Sequence, residues 1–385
     1  MSKGFAKALV AHVREEFGGE RFIPLHAPQF GEYEREEILR ALDAGFVSSV
    51  GPHVTKFEEA ICQYTGARYG IATVNGTAAL HVCMLLAGVE PEDEVITQTI
   101  TFVATCNAIR YCGAEPVLID VERTTLGMCP DQLEQWLQTN ARLADDGVCI
   151  NVRTKRKIRA CVPMHDFGHP VRIERIEEIC REWGLVLVED AAESLGSFYN
   201  GRHTGRFGQL SAMSFNGNKI ITTGGGGMIL TDDEALASRA KHLVTTAKQP
   251  HPWLYMHDEV GYNYRLPALN AALGCAQMQR LPTYVDQKRA LAARYAEWFS
   301  HTDYHFFQEP VGAKSNYWFN CFFAHDRNER DQILQHTNDV GVMTRPVWTP
   351  MHTLPIYANC QQSPMPAADW LNERLVNIPS SPRSL

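Results

Sequence analysis

None of the eleven cysteines forms a Cys-x-x-Cys pair, so neither a zinc site nor a redox pair is indicated. Their number is odd, and most sit in apolar surroundings, Cys83, Cys106 and Cys161 among them. Free buried thiols in a reducing cytoplasm are the expectation, with no metal site. No window of the 385 residues approaches a membrane span. Residues 1–17 carry charges throughout and no apolar core segment, so they are not expected to act as a signal peptide. Basic charge is in short supply. Lys and Arg number 36 against 44 acidic residues, a formal net charge of −8, which argues against a nucleic-acid binder. The glycine run 224–227 is not followed by Gly-Lys-Ser/Thr, so the Walker phosphate cradle is missing. Internal repeats and low-complexity tracts are absent too. With 45% apolar and 21% charged residues, the chain is expected to be soluble and globular with ample core.

Helical and extended patterns alternate through most of the length. Strands are predicted over 69–74, 94–97, 116–120, 158–164 and 185–189, and helices over 36–44, 54–64, 78–87, 102–111 and 173–183. This order predicts a mostly parallel sheet flanked by helices, with ligands at the carboxyl ends of the strands. After about residue 265 the character changes. Helices are expected over 269–281, 287–299 and 329–337, and strands over 317–324 and 340–347. The expected division is an N-terminal arm (1–35), a large α/β domain (36–268) and a smaller C-terminal α+β domain (269–385).

Two segments carry the chemistry. The apolar run Leu185-Val186-Leu187-Val188 ends in Glu189-Asp190-Ala191-Ala192-Glu193. Some thirty residues on, Ser214-Phe215-Asn216-Gly217-Asn218-Lys219 leads into the glycine run. A strand that delivers a carboxylate, followed by a short strand that delivers a lysine, suits pyridoxal phosphate (PLP). The lysine holds the cofactor aldehyde as a Schiff base, and the aspartate keeps the ring nitrogen protonated. Lys219 is then the catalytic proton carrier, Asp190 the ring-nitrogen partner, and Glu193 a group near the ring hydroxyl. The corner Asn75-Gly76-Thr77, between a strand and a helix, is a ready anion site.

With these residues in hand, the chain resembles the DegT-type, PLP-dependent sugar-nucleotide aminotransferases of aspartate-aminotransferase-like fold type I. The resemblance runs from Phe22 to the C-terminus. Asn75-Gly76-Thr77-Ala78-Ala79-Leu80 resembles the phosphate-binding motif, in which Gly76 and Thr77 give N–H groups and Thr77 a hydroxyl. Ser214 adds a second hydroxyl. Thr101-Phe102-Val103-Ala104-Thr105 resembles the segment whose aromatic, here Phe102, stacks on the cofactor ring. Gly261-Tyr262-Asn263-Tyr264-Arg265-Leu266 resembles the segment whose asparagine, here Asn263, reaches the neighbouring subunit's cofactor. The resemblance therefore implies a cytoplasmic homodimer with shared sites.

Three segments, 216–227, 257–263 and 344–348, look most like one branch of the family. It aminates C4 of UDP-linked 4-keto-6-deoxy-N-acetylglucosamine on the way to surface sugars of the bacillosamine or legionaminic acid type. L-glutamate is the implied amino donor. Arg345 is the expected clamp for a carboxylate or diphosphate, and Ser49 and His165 are candidate sugar contacts. One departure stands at His165-Asp166-Phe167-Gly168, where the family often has His-Leu-Tyr-Gly. Amination of a GDP-linked 4-keto-6-deoxymannose, giving perosamine, is the alternative. More remote are a sugar dehydratase, which would carry histidine in place of Lys219, and a non-catalytic PLP-binding regulator.

Overall fold

A computed structural model describes residues 2–19 and 21–383. Residues 1, 20, 384 and 385, which belong to the expected arm and small domain, lie outside the described residues.

Seven strands form the central sheet. Across it they run Tyr69–Thr73, Gly227–Thr231, Leu210–Ser214, Val186–Asp190, Ile158–Val162, Glu94–Gln98 and Glu115–Ile119. All neighbours are parallel except Gly227–Thr231, which is antiparallel on both its sides. The expected α/β architecture is what the chain adopts. Glu94–Gln98 and Gly227–Thr231 are buried along their whole length, as strands with helices on both faces must be. Helices Gly76–Leu86, Val103–Tyr111 and Glu234–Val244 contribute to the core on one face. On the other, Phe57, Ile61, Ala271 and Leu281 pack against Met213, Met228 and Leu230.

A second, antiparallel sheet holds His305–Phe306, Asn320–Phe323, Leu375–Ile378 and Arg345–Pro346. The strand expected over 340–347 is only its last part. The helix Ser2–Glu16 docks on this unit through Ala6, Leu9, Val10 and Val13, which recur at helical spacing and are buried.

One expectation fails outright. The two helices foreseen over 269–281 and 287–299 are a single helix, Ala268–Phe299, with Pro282 inside it. A proline in a helix interior costs about 3 kcal/mol. Here tertiary burial outweighs that cost. Ala268, Ala271 and Leu281 pack against the large sheet, while Leu291, Ala292, Tyr295 and Phe299 enter the small unit's core. The helix thus belongs to both cores, and an interdomain boundary at 268/269 falls on its first turn.

Candidate active site

A cavity of about 770 Å³ opens where the strand ends of the large sheet meet the small unit. Lys219, Asp190, Glu193, Ser214, Gly76, Thr77, Phe102 and Arg345 all line it. Eight of the eleven candidate residues are therefore brought to one place.

Asp190 is the last residue of its strand and is 2% exposed. Its carboxylate accepts from Thr105 Oγ1 at 2.7 Å and from the Ala192 N–H at 3.1 Å. Burial pushes its pKa above the ordinary value, against the pull of those bonds and of Lys219. Glu193 lies three residues on. One of its oxygens accepts from the Phe167 N–H at 2.9 Å, the other from Lys219 Nζ at 3.0 Å. Burial pushes this carboxyl up to about 7, although Lys219 opposes the rise.

Lys219 follows the Leu210–Ser214 strand in a loop rather than on a short strand of its own. The loop's ends are fastened by the Ser214·Gly227 pairing and by the Phe215 N–H to Gly226 carbonyl bond of 2.8 Å. The ammonium lies 4.1 Å from the Trp318 ring centroid, within cation–π range. Trp318 is itself held by its indole N–H, which donates to the Asn218 carbonyl at 2.7 Å.

The helix Gly76–Leu86 begins at the cavity. Asn75 caps it by accepting from the Ala78 N–H at 2.8 Å. The N–H groups of Gly76 and Thr77 have no partner inside the helix. A Cβ on Gly76 would stand 2.9 Å from Ser214 Cβ, so only glycine lets these two elements close together. Phe102 is 51% exposed, an open ring face on the cavity wall, in edge contact with Trp348 at 6.3 Å between centroids.

The remaining three candidates stand elsewhere. His165 is fully buried and turned across the sheet, with Nε2 3.0 Å from a Glu189 oxygen and Nδ1 accepting from the Val171 N–H. Glu189 in turn accepts from the N–H groups of Gly205, Phe207 and Gly208. This histidine is a structural brace; of its near neighbours in sequence, Met164 and Phe167 line the cavity. Ser49 and Asn263 do not line the cavity. Asn263 is exposed and accepts from Arg265 Nε and Nη2 at 3.1 and 2.8 Å. Residues absent from the sequence reading as site candidates also line the cavity: Trp318 and, further round, His26, Met343 and Asn377. No local motif marks them.

PLP fits this donor set. The free helix-start N–H groups and the Ser214 and Thr77 hydroxyls suit its phosphate. The buried Asp190 suits a protonated ring nitrogen, Phe102 offers a ring face, and Lys219 offers the amine for the aldehyde.

Comparison with known proteins agrees. Residues 28–384 match the DegT/DnrJ/EryC1/StrS aminotransferase family. The chain is 35% identical to the GDP-perosamine synthase of Escherichia coli O157:H7 over 94% of both proteins. It is also 35% identical to the putative pyridoxal phosphate-dependent aminotransferase EpsN of Bacillus subtilis (strain 168), over 87% of this chain and 84% of that one. The crystal structure of the aminotransferase TlmJ from Streptoalloteichus hindustanus superposes with a TM-score of 0.84 at 30% identity, covering 93% of each chain. A fold, a lysine-centred cavity and a match over nearly the whole length thus lead to one assignment: the chain belongs to the DegT/DnrJ/EryC1/StrS family and is a PLP-dependent sugar-nucleotide aminotransferase.

Proposed function

We propose that the protein transfers the amine of L-glutamate to C4 of UDP-2-acetamido-2,6-dideoxy-4-hexulose. The observation that carries this reading is the make-up of the cavity wall. Two of the three segments that resemble the UDP-sugar branch contribute to it: Asn216, Asn218, Lys219, Gly225 and Gly226 from one, Arg345 to Trp348 from the other. The third, 257–263, does not reach it.

When bound, PLP supplies an electron-withdrawing ring that stabilises negative charge on the carbon losing a proton. The chain's own groups do the rest. Asp190 keeps the ring nitrogen protonated. Gly76, Thr77 and Ser214 hold the phosphate. Phe102 covers one ring face. The Lys219 amine takes a proton from the amine-bearing carbon of glutamate and returns one at the sugar carbon. Glu193 accepts a hydrogen bond from that amine and so fixes where it stands. Trp318 shields the amine from water. Arg345 faces the cavity with Nη1 committed to Asn338 and the Thr344 carbonyl, which leaves its other N–H groups to clamp a carboxylate or diphosphate.

The GDP reading has its own support: the Escherichia coli relative is named a GDP-perosamine synthase. One experiment separates the two. Protein treated with glutamate and then freed of it is offered the UDP- and GDP-linked 4-ketosugars separately, and the cofactor's absorbance is followed. Return of the starting spectrum with the UDP sugar is expected. Return with the GDP sugar alone would overturn the assignment.

Homodimerisation with shared sites belongs to the same proposal. Phe46, Val47 and Val50, and Trp253, Leu254, Tyr255 and Met256, are exposed apolar side chains on two loops, more than a lone monomer needs to show. Asn263 is likewise exposed and outside its own chain's cavity. Mixing Asn263→Ala with Lys219→Ala subunits should restore activity in hybrid dimers; strictly additive activity counts against sharing. A cytoplasmic location is proposed with it, in keeping with eleven free cysteines. No helix among the described residues is long and apolar enough to cross a membrane.

A further inference from the structure

One wall of the cavity is built where the two ends of the chain meet. The Ile23 segment runs beside Val342, and the Met343 N–H donates to the Ile23 carbonyl at 2.9 Å. The Ser380 N–H donates to the Leu25 carbonyl, and the Ala27 N–H to Ser381 Oγ, both at 2.8 Å. Arg345 pairs with Asn377 in the small sheet. Lys288, fully buried, fastens the tail by donating to the Ser380 carbonyl and, at 3.2 Å, to that of Trp318. His26 and Asn377 are thus fixed from several sides, and both line the cavity.

These two side chains are 8% and 2% exposed, yet three of their polar atoms lack a partner: both ring nitrogens of His26 and Oδ1 of Asn377. Buried polar groups are nearly always paired, and leaving one unpaired costs free energy that a ligand restores. The neighbouring orphan, Asp166 Oδ1, belongs to the carboxylate cluster of Asp190 and Glu193 and not to this wall. Burial, with Lys288 and Lys219 adding to it, pushes the His26 imidazole well below its ordinary pKa. A neutral imidazole offers one donor and one acceptor. Asn377 Nδ2 donates to the Pro346 carbonyl at 3.3 Å, which leaves Oδ1 as an acceptor. The three unpartnered atoms therefore present two acceptors and one donor, the second N–H of the Asn377 amide adds a further donor, and the pair carries no charge. A phosphate or carboxylate, which only accepts, leaves both acceptors unmatched. A neutral group that both donates and accepts matches them better.

We propose that His26 and Asn377 form a hydrogen-bonding subsite for an uncharged ring substituent of the sugar, an acetamido or hydroxyl group, and so determine which sugar is accepted. The proposal rests on the sugar-nucleotide reading above but not on the choice of base. In the UDP substrate the group is the acetamido or a ring hydroxyl; in the GDP substrate it is a hydroxyl. The diphosphate and the carboxylates of glutamate are left to Arg345.

The test separates the two half-reactions in single-turnover measurements that follow the absorbance of bound PLP, with melting temperature and PLP content as folding controls. His26→Leu and Asn377→Leu should lower the second-order rate constant with the sugar about tenfold more than that with glutamate. His26→Gln, which keeps a donor and an acceptor, should recover most of the loss. UDP and GDP alone, titrated by calorimetry, should bind the variants and the wild type alike. A second arm needs no variant. Wild-type protein is offered sugars stripped of one ring substituent at a time, and one analogue should react about tenfold more slowly than its parent. Equal losses in both half-reactions, a matching loss of affinity for the bare nucleotide, or wild-type indifference to every analogue would overturn the subsite. Which of the two parent sugars reacts decides the UDP reading separately.

Discussion

The two sides of the cavity differ in how complete they are. On the large-sheet side both carboxylates that line the cavity have partners, and the unpaired Oδ1 of Asp166 beside them lies outside the lining. Asp190 has Thr105 and Ala192; Glu193 has Phe167 and Lys219 itself. On the small-unit side His26 and Asn377 have buried atoms with none. The first side is preorganised: its geometry does not wait for a substrate. The second is complementary to something from outside the chain. Reaction chemistry and substrate recognition are thus supplied by different walls, and mutation should separate them.

The largest effect is expected on the preorganised side. Lys219→Ala should lower turnover by roughly 10²- to 10⁴-fold, the usual contribution of a positioned acid–base group, while the protein stays folded. Borohydride reduction of the wild type should fix PLP to the peptide containing Lys219. Label on Lys241 or Lys248 would break the assignment. On the opposite wall, Arg345→Ala is expected to slow the sugar or glutamate half-reaction by about 10- to 100-fold, a charge-assisted contact's worth. It should leave PLP content near that of the wild type. A parallel loss of PLP would show that the two walls are not separable.

Smaller still is a pH effect on stability. In protein freed of PLP, Glu193 has a pKa of about 7 against an ordinary value of 4.5, because burial disfavours the charged form. The folded state then holds a proton that the unfolded state releases, so stability falls as pH rises from about 4.5 to 7. Glu193→Gln should flatten that slope, by on the order of 1–3 kcal/mol across the window. Urea titrations at several pH values measure it; equal slopes would mean that Lys219 already compensates the buried charge.

The same contrast explains what the sequence made legible. Asp190, Lys219 and Gly76 lie at strand ends or in the segments just after them, where short-range pattern points to them; Ser214 and Phe102 are legible only through the family resemblance. The wall made by His26, Trp318, Met343 and Asn377 is assembled by tertiary packing between segments hundreds of residues apart, with no motif in any of them. His165 lies just beyond a strand that borders the site but is turned to Glu189, a partner that no local pattern shows. The helix over Pro282 was cut in two because local propensity weighs the proline and cannot weigh two separate cores. Of the three segments that resemble one branch of the family, 216–227 and 344–348 contribute to the cavity and 257–263 does not.

The meeting of the chain's two ends at the cavity also bears on synthesis. Gly76 and Asn377 are about 300 residues apart, and a ribosome adding 5–20 residues per second needs roughly 15–60 s to cover that span. Throughout that interval the nascent chain can carry the phosphate-binding turn, and later Lys219, without the wall that closes over them. The wall that would recognise the sugar is therefore expected to be the last part of the site to form, whereas every residue assigned to this chain's own PLP has been synthesised once Lys219 is added.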